Sequence, residues 1–503
     1  MKDTLDVMPD EEGWYQINVP LKKMVYDNYC GDVVEIPDTY EKVSPSVFYE
    51  VWREHFSNIK CRKFCRFAKC SFCVKMRETI GDRDASKRVE RQVAKDRHKA
   101  HLDWAHIRER GFYHKKRSEA IQNPESFLSI ASDGTFQMIN GFPHFFEATK
   151  GDAKGKRLKI HTQVNLVHGR KPIVFLAWED IAGDPNWIIE TLYRTIQACE
   201  RQGKLPDTLY LQLDNCFREN KNTYLLTYLC WLVERRVFKE IFVSFLPTGH
   251  THFDCDQMAS RISEGVKYRD VRTLEAYVDL IQTCFTPTPD VVLVDDVMDV
   301  KKLFNPEASP VFAASSARCH RSRGLCTKSV QPGREVYMDE TSPLHWRIRK
   351  DVNGKVCVQT KFTVDDELWS NMFHPWTKAP RPEGRDFEQD TSGLYPSDVV
   401  YASNKPCTQE REEELRKALD AARPRCTDEE WEEIEETFER VTTLREGGGE
   451  LEEDHGRLAA DSYGPEQGGE DEPMLLARPD TIFLSEALQN RARQRRKQQG
   501  TCK

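Results

Sequence analysis

Three aspartates follow apolar, strand-like runs, and their positions indicate a site for divalent cations. Asp133 and Asp214 each end such a run, and Asp254 lies just beyond a third. Clustered carboxylates repel one another unless cations lie between them, and two metal ions roughly 3.5–4 Å apart suit in-line displacement at phosphorus. Oxygen ligands of this kind select Mg²⁺ or Mn²⁺ over softer metals. We therefore predict a catalytic metal site at these residues, with Asp256 competing for the third position and Glu264 as a more remote alternative.

Residues 127–285 contain the elements that would bring these acids together. Their hydrophobic pattern predicts three strands, a helix, a strand, a helix, a strand and a final helix. Asp184 and Pro185 should begin the first of these helices, because Asp caps helix N-termini and Pro is tolerated at the first helical position. Mixed and parallel sheets gather reactive groups at the C-terminal ends of their strands. The pattern therefore predicts an α/β fold with a mixed sheet flanked by helices.

Three motifs carry a resemblance to a known class of proteins. They are residues 133–144 (DGTFQMINGFPH), 213–222 (LDNCFRENKN) and 245–257 (FLPTGHTHFDCDQ). The element order resembles the RNase H-like fold of transposases and retroviral integrases, and the motifs resemble a large family of transposon-derived eukaryotic proteins without established biochemistry. The resemblance implies an RNase H-like core in which Asp133, Asp214 and Asp254 bind the metals.

Other polar residues of these motifs are candidates for substrate contacts. His250 and His252 would line the site and position a phosphate or a water molecule. Asn215, Lys221 and Asn222 would contact phosphate, although a solvated helix start is a simpler explanation of the last two.

The histidine-rich loop also permits a different chemistry. His250, His252 and Asp254 read HxHxD, a spacing with which metallo-hydrolases of the β-lactamase type bind Zn²⁺. That family normally has a further histidine directly after the acid, whereas a cysteine follows here. It also needs ligands from later loops, for which the sequence offers only scattered residues such as His320 and His345.

A cysteine cluster precedes the α/β region. Four cysteines lie close together in sequence: Cys61, Cys65, Cys70 and Cys73. Four thiolates can complete a tetrahedral zinc shell, and the last pair has the CxxC spacing of a zinc knuckle. One ligand could instead be His98 or His101 downstream, and buried cysteines without a metal are the alternative. We predict a structural Zn²⁺ rather than disulfides, because we expect an intracellular protein.

Basic residues surround and follow this cluster, although the whole chain carries a net charge of −8. Arginine and lysine interleaved with aromatic residues suit contact with phosphates and bases, with an affinity that falls with salt. The candidates for nucleic-acid contact are Arg62, Lys63, Arg66, Lys69, Arg88 and Arg91. A solvated helix face is the competing interpretation. We predict DNA as the partner, such as transposon ends or genomic DNA, and a homo-oligomer is a further expectation.

Length and composition place these features in a multi-part chain. At 503 residues with 39% hydrophobic content, the chain can form more than one core, and no apolar run approaches the roughly 20 residues of a membrane span. The N-terminus lacks the layout of a signal peptide. The predicted regions are 1–60 (α+β), 61–120 (Cys-rich and helical), 127–285 (RNase H-like core), 286–440 (smaller α+β region) and 446–503 (disordered charged tail).

Three functions are consistent with these observations. The first is a transposase-like DNA nuclease and strand-transfer enzyme that uses two divalent metals. The second is a catalytically inactive, transposon-derived DNA-binding protein, and the third is a zinc metallo-hydrolase that uses the HxHxD loop. The basic cluster at residues 491–497, together with a DNA partner, favours a nuclear location.

Overall fold

The computed structural model describes most of the chain between residues 43 and 443, together with short segments before it. The described residues are 6–7, 14–17, 22–23, 25–26, 43–61, 70–82, 84–134, 141–147, 149, 157–216, 218–251, 253–304, 343–370, 372–375 and 402–443. The predicted tail at 446–503 therefore lies outside them.

A small three-stranded sheet forms the first part of the chain. Its strands are β1 (Asp6–Val7), β2 (Tyr15–Ile17) and β3 (Ile59–Cys61), in that order. Helix α1 (Pro45–His55) precedes β3, and the Ser44 side chain caps it by accepting a hydrogen bond from the Val47 backbone. Its Trp52 side chain is buried with Ile59, so the helix covers the sheet through a small core of its own.

A run of helices follows and leads into the main sheet. The elements are α2 (Ser71–Gly81), α3 (Arg88–Leu102), a π-helix (Asp103–Glu109) and α4 (Arg110–Gln122). Helices α2 and α3 pack against each other through Phe72, Met76 and Ala94. Single turns of π-helix inside longer helices often occur at functional sites. Here the π-helix places Trp104 in the main hydrophobic core.

Among the described residues the main sheet has nine strands, which include the five predicted within residues 127–285. They are β4 (Phe127–Gly134), β5 (Gly141–Phe142), β6 (Leu158–Val167), β7 (Ile173–Trp178), β8 (Thr208–Leu213), β9 (Glu240–Phe245), β10 (Asp290–Leu293), β11 (His345–Lys350) and β12 (Val356–Lys361). The order across the sheet is β10-β7-β6-β4-β8-β9-β11-β12, with β5 paired to β6. Strands β4, β8 and β9 are parallel neighbours, whereas β6 is antiparallel to both β4 and β7. The predicted α/β class, with a mixed sheet flanked by helices, is confirmed.

Helices cover both faces of this sheet. They are α5 (Pro185–Arg201), α6 (Thr223–Glu234), α7 (Asp254–Lys267), α8 (Leu274–Thr283), α9 (Val300–Leu303), α10 (Gln409–Ala422) and α11 (Asp428–Thr442). Successive strand residues point to opposite faces. Accordingly, Ile130 joins the core beneath α5 and α6, whereas its neighbour Ala131 joins the core beneath α7, α8 and the last two helices.

The sheet extends past the predicted core boundary at residue 285. Strand β10 pairs with β7, and β11 pairs with both β9 and β12. The β11–β12 hairpin turns at Asn353 and Gly354, a residue pair typical of tight hairpin turns, with Gly354 at φ +74°. Strands β10, β11 and β12 therefore belong to the same sheet as the predicted core. The predicted separate region 286–440 is in part an extension of that sheet. Among the described residues, no helix is both long and apolar enough to cross a membrane.

Candidate metal sites

Two of the predicted acids end adjacent parallel strands. Strands β4 and β8 pair in a register that sets Ala131 beside Gln212. Continuing that register by two residues sets Asp133 beside Asp214, and neighbouring strands lie roughly 4.8 Å apart. Both side chains are half-buried. The sheet therefore brings together two carboxylates that are 81 positions apart in sequence, as the strand-end argument requires.

The third acid at this edge is Asp256. Burial raises the pKa of Asp133 well above its ordinary value, and the charges of Asp256 and Asp214 raise it further. Burial also raises the pKa of Asp214, hydrogen bonds from Asn220 and the Cys216 backbone oppose this, and the charge of Asp256 adds to it. Asp256 lies in the first turn of α7, where its carboxylate accepts a hydrogen bond of 2.9 Å from the Phe253 backbone. The charge of Asp256 thus acts on both strand-end carboxylates, so we treat Asp133, Asp214 and Asp256 as one acidic site.

Asp254, the predicted third ligand, lies in a buried ion pair with Arg117. It is buried, and its Oδ2 accepts hydrogen bonds from Arg117 at 2.8 Å and from the Tyr113 hydroxyl at 3.0 Å. Burial alone would raise its pKa, but the Arg117 charge, supported by His114 and His168, lowers the pKa overall. Asp254 is thus an ion-paired anchor for the start of α7. Asp254 and Asp256 lie in the same helical turn. The sequence alone does not show which of them faces the strand ends, so it could not rank Asp256 above Asp254.

The more remote alternative, Glu264, lies two turns farther along α7. Its side chain is exposed and forms an ion pair of 3.2 Å with Arg261. An exposed side chain that pairs with an arginine on the helix surface is a poor candidate for the third ligand.

Glu219 and Asn220 belong to the acidic site although the sequence did not single them out. The charge of Glu219 raises the pKa of Asp133, and its own pKa is raised by burial and by Asp214. The Asn220 amide donates a short hydrogen bond to Asp214 Oδ1. Both residues lie in the LDNCFRENKN motif, so their proximity to Asp214 in sequence was the available signal.

The residues predicted to contact phosphate mainly support the loop after β8. Lys221 is fully buried, and its Nζ donates to Asn215 Oδ1 at 2.9 Å. Asn215 in turn donates to the Thr248 hydroxyl at 3.3 Å. Asn222 caps α6 by accepting a hydrogen bond from the Leu225 backbone. His252, the second predicted histidine of the site, lies outside the described residues.

A second cluster contains thiols and imidazoles. Four buried side chains place one potential ligand atom each within 4.8 Å of all the others: Cys70, Cys73, His101 and His250. Cys70 immediately precedes α2, Cys73 lies in its first turn and His101 lies near the end of α3. His250 comes from the loop between β9 and α7. The group could hold a metal ion such as zinc.

This cluster differs from the predicted set of four cysteines. Cys70 and Cys73 are retained, and His101, an alternative considered in the sequence, supplies a third ligand. Cys61 is not part of the group because it ends strand β3 in the small N-terminal sheet. Cys65 lies outside the described residues, and His98 is half-buried on α3 but does not join the group. His250 was missed as a zinc partner of the cysteines because its 177-residue separation from Cys73 leaves no local signal.

The Cys/His group is tightly hydrogen-bonded. Cys70 Sγ lies 3.4 Å from His101 Nε2, Cys73 Sγ lies 3.5 Å from His250 Nε2, and the two Nε2 atoms lie 2.9 Å apart. A hydrogen bond with Cys73 lowers the pKa of the Cys70 thiol, burial opposes this, and hydrogen bonds with His101 and His250 lower it further. The thiolate, which is the metal-binding form, is therefore favoured at Cys70.

The predicted nucleic-acid contacts and the late histidines of the metallo-hydrolase hypothesis lie outside both clusters or outside the described residues. Arg88 is exposed and Arg91 is half-buried on α3, whereas the remaining basic candidates at 62–69 lie outside the described residues. His345, a late ligand in the metallo-hydrolase hypothesis, lies 2.7 Å from Glu109 and 3.0 Å from the Ser244 hydroxyl. His320, the other late ligand, lies outside the described residues.

Comparison with known proteins gives one match. Residues 150–323 match a family model described as a domain of unknown function, DUF7869. The matched segment includes Asp214, His250 and Asp256 and begins after Asp133. No curated protein and no solved structure matches the chain.

Proposed function

We propose that this protein is a metal-dependent nucleotidyl transferase that acts on the phosphodiester bonds of DNA, with Asp133, Asp214 and Asp256 as its catalytic carboxylates. The observation that carries the proposal is the convergence of these acids from two adjacent parallel strands and one helix start, where their charges raise the pKa values of Asp133 and Asp214. The order of strands and helices around them is also the order that the resemblance to transposases and integrases leads us to expect.

The donor set fits hard divalent cations. It consists of half-buried carboxylate oxygens, and the raised pKa values report the free-energy penalty of charging these groups without a counterion. Mg²⁺ or Mn²⁺ bound here would supply the charge that stabilises the attacking and leaving oxygens during displacement at phosphorus. Zinc would not be preferred by an all-oxygen set.

Neighbouring residues hold these acids in place. Asn220 orients the Asp214 carboxylate, and the Phe253 backbone holds that of Asp256. Asp256 also lies in the first turn of α7, where the helix dipole favours a negative charge. The ion pair between Arg117 and Asp254 fixes the start of the same helix. The chain thus positions carboxylates that repel one another, which is the arrangement that a site for exchangeable cations requires.

The two alternative functions receive less support. In the metallo-hydrolase hypothesis, His250 and Asp254 would share one zinc ion, but His250 faces two cysteines and Asp254 faces Arg117. An inactive DNA-binding protein would not need three coupled carboxylates. Exposed basic residues of α3, such as Arg88, would contribute salt-dependent DNA affinity in either case. A nuclear location follows from the proposed substrate and is part of the proposal.

The direct test is cleavage of labelled double-stranded DNA with and without Mg²⁺. We expect cleavage by the wild type that Asp214→Asn abolishes. Asp207→Asn is the matched control because Asp207 precedes the same strand at its opposite end, where it is exposed and pairs with Lys239. Equal cleavage by wild type and Asp214→Asn would remove the proposed catalytic role. DNA binding without any cleavage would favour the inactive protein.

A further inference from the structure

The Cys/His group joins three segments that are far apart in the chain. Cys70 directly precedes α2 and Cys73 lies in its first turn, His101 belongs to α3, and His250 belongs to the loop that leads into α7. We propose that these four residues bind one Zn²⁺, which fastens the N-terminal helices to this loop and so fixes the position of α7 and its Asp256.

The distances support a tetrahedral ion. Zinc lies about 2.3 Å from sulfur and about 2.05 Å from nitrogen, so sulfur and nitrogen atoms on one tetrahedral ion are about 3.5–3.6 Å apart. Two of the four sulfur–nitrogen distances, Cys70–His101 and Cys73–His250, are 3.4 and 3.5 Å. The two nitrogen atoms are 2.9 Å apart, whereas about 3.3 Å is expected across zinc. A shift of a few tenths of an ångström would therefore bring these two nitrogen atoms to the separation expected across zinc.

The ligand set indicates a structural site. Two thiolates and two neutral imidazoles balance the charge of Zn²⁺ and complete its four-coordinate shell, so no position is open for water or substrate. All four side chains are buried. The second nitrogen of His250, Nδ1, lies 3.2 Å from His106 Nε2 on the π-helix. Such outer-shell hydrogen bonds orient metal-binding histidines, and the π-helix is what brings His106 to this position.

Independent contacts support the same connection. Gly249 has φ +76°, and a Cβ atom at this position would lie 2.6 Å from the Cα of Cys70. Only glycine allows the loop to approach α2 so closely. The Arg110 side chain donates to the His250 carbonyl at 3.2 Å, and Arg117 from the same helix pairs with Asp254.

The zinc ion and these contacts therefore hold both ends of the short segment that precedes Asp256. The effect on Asp256 rests on the proposed function, whereas the zinc site itself does not.

Zinc content tests the site directly. We expect one zinc per chain in the full-length protein expressed with zinc as the only added metal, and less than a tenth of that in His250→Ala. His98→Ala is the matched control, because His98 lies on the same helix as His101 but outside the group, and it should retain zinc. Unchanged zinc content in His250→Ala would overturn the proposal.

X-ray absorption on the wild-type protein tests the ligands even if a variant fails to fold. We expect a first shell of two sulfur atoms at about 2.3 Å and two nitrogen atoms at about 2.0–2.1 Å. A shell of four sulfur atoms, or absence of bound zinc, would contradict the assignment of His101 and His250.

The effect on Asp256 is tested by titrating Mn²⁺ into zinc-loaded and zinc-stripped protein and following the electron paramagnetic resonance of free Mn²⁺. We expect at least tenfold weaker Mn²⁺ binding after zinc is removed, or unfolding of the stripped protein. Equal Mn²⁺ affinity in both folded forms would refute the link to α7. No Mn²⁺ binding by the zinc-loaded protein would instead refute the proposed function and leave the zinc site in place.

Discussion

The acidic site and the Cys/His group occupy the two ends of one short segment but differ in nearly every physical property. The acidic site offers half-buried oxygen ligands whose charges oppose one another. The Cys/His group offers buried sulfur and nitrogen ligands within 4.8 Å of one another. His250 and Asp256 are only six positions apart in sequence. If both proposals hold, the chain changes within this stretch from a site for a permanent Zn²⁺ to one for exchangeable divalent cations.

The two groups of ligands should therefore affect the stability of the fold in opposite ways. A complete thiolate and imidazole shell stabilises the structure that surrounds it. An acidic site without its cations destabilises the fold, and the surrounding structure must hold it in place. The ion pair between Arg117 and Asp254 lies between the two sites and performs part of that task. The following predictions separate the contributions of the two sites, beginning with the largest effect.

Arg117→Met should cause the greatest loss of stability. It would leave the buried Asp254 carboxylate without its cationic partner, and breaking a buried ion pair in this way costs about 3–5 kcal/mol. Urea unfolding of the purified protein measures the change. The double variant Arg117→Met/Asp254→Asn is the control and should recover much of the loss. Exposed ion pairs contribute at most about 1 kcal/mol. A loss of stability no larger than this would show that the Arg117–Asp254 pair does not anchor α7.

Asp256→Asn should separate the two acids of α7. We expect Mn²⁺ affinity to fall by about 100-fold or more, beyond the 10- to 100-fold typical of residues outside the metal shell, with zinc content unchanged. Asp254→Asn should leave Mn²⁺ affinity within about tenfold while it lowers the midpoint of thermal unfolding. Titration of both variants by electron paramagnetic resonance measures the contrast. The reverse ranking would restore Asp254 as the metal ligand.

Gly249→Ala should weaken the Cys/His end of the segment. The substitution combines an unfavourable backbone conformation, which costs about 1–2 kcal/mol, with overlap against Cys70, so we expect a loss of about 2–4 kcal/mol and reduced zinc content. Gly354→Ala is the matched control. Gly354 has a φ of +74°, close to the +76° of Gly249, but no described atom lies within 4 Å of the added carbon. Equal losses in both variants would mean that the close approach to Cys70 is unimportant.

The smallest effect concerns pH and the acidic site. The folded-state pKa values of Asp133 and Asp214 are raised, so their contribution to stability is present below the unfolded-state values, near 3.8, and is lost as the pH rises through the folded-state values. Without Mg²⁺, Asp133→Asn should therefore raise the thermal midpoint at pH 8 by about 2–4 °C, which corresponds to about 1 kcal/mol. The gain should shrink at pH 4.

Thermal unfolding without a chelator, which would also remove zinc, gives this measurement. Asp207→Asn should show no gain at either pH because its carboxylate is exposed. A lower midpoint for Asp133→Asn at pH 8 would contradict the account of charge repulsion.

Local patterns in the sequence predict those parts of the fold that depend on nearby residues. The predicted helix start at Asp184 depends only on residues within one turn, and it is present. The Asn353-Gly354 pair is likewise a local signal for the hairpin turn. Asp133 and Asp214 could be predicted because a strand end is a local feature and parallel strands align such ends. The CxxC spacing, also a local feature, identifies Cys70 and Cys73 as candidate zinc ligands.

The remaining features depend on contacts between distant segments. His250 lies beside the cysteines because the loop after β9 packs on α2. Sequence spacing does not predict a contact between segments so far apart in the chain. The choice of Asp256 over Asp254 depends on Arg117, a residue 137 positions away from Asp254. Strand β11 pairs with β9 across about a hundred residues, so the extent of the sheet was equally hidden.

Anomalous scattering from crystals of the zinc-loaded protein soaked in Mn²⁺ tests the central claim most directly. We predict manganese peaks among the carboxylates of Asp133, Asp214 and Asp256, with none beside Asp254. Saturating Mn²⁺ without a peak at this edge of the sheet, or a peak beside Asp254, would contradict the account.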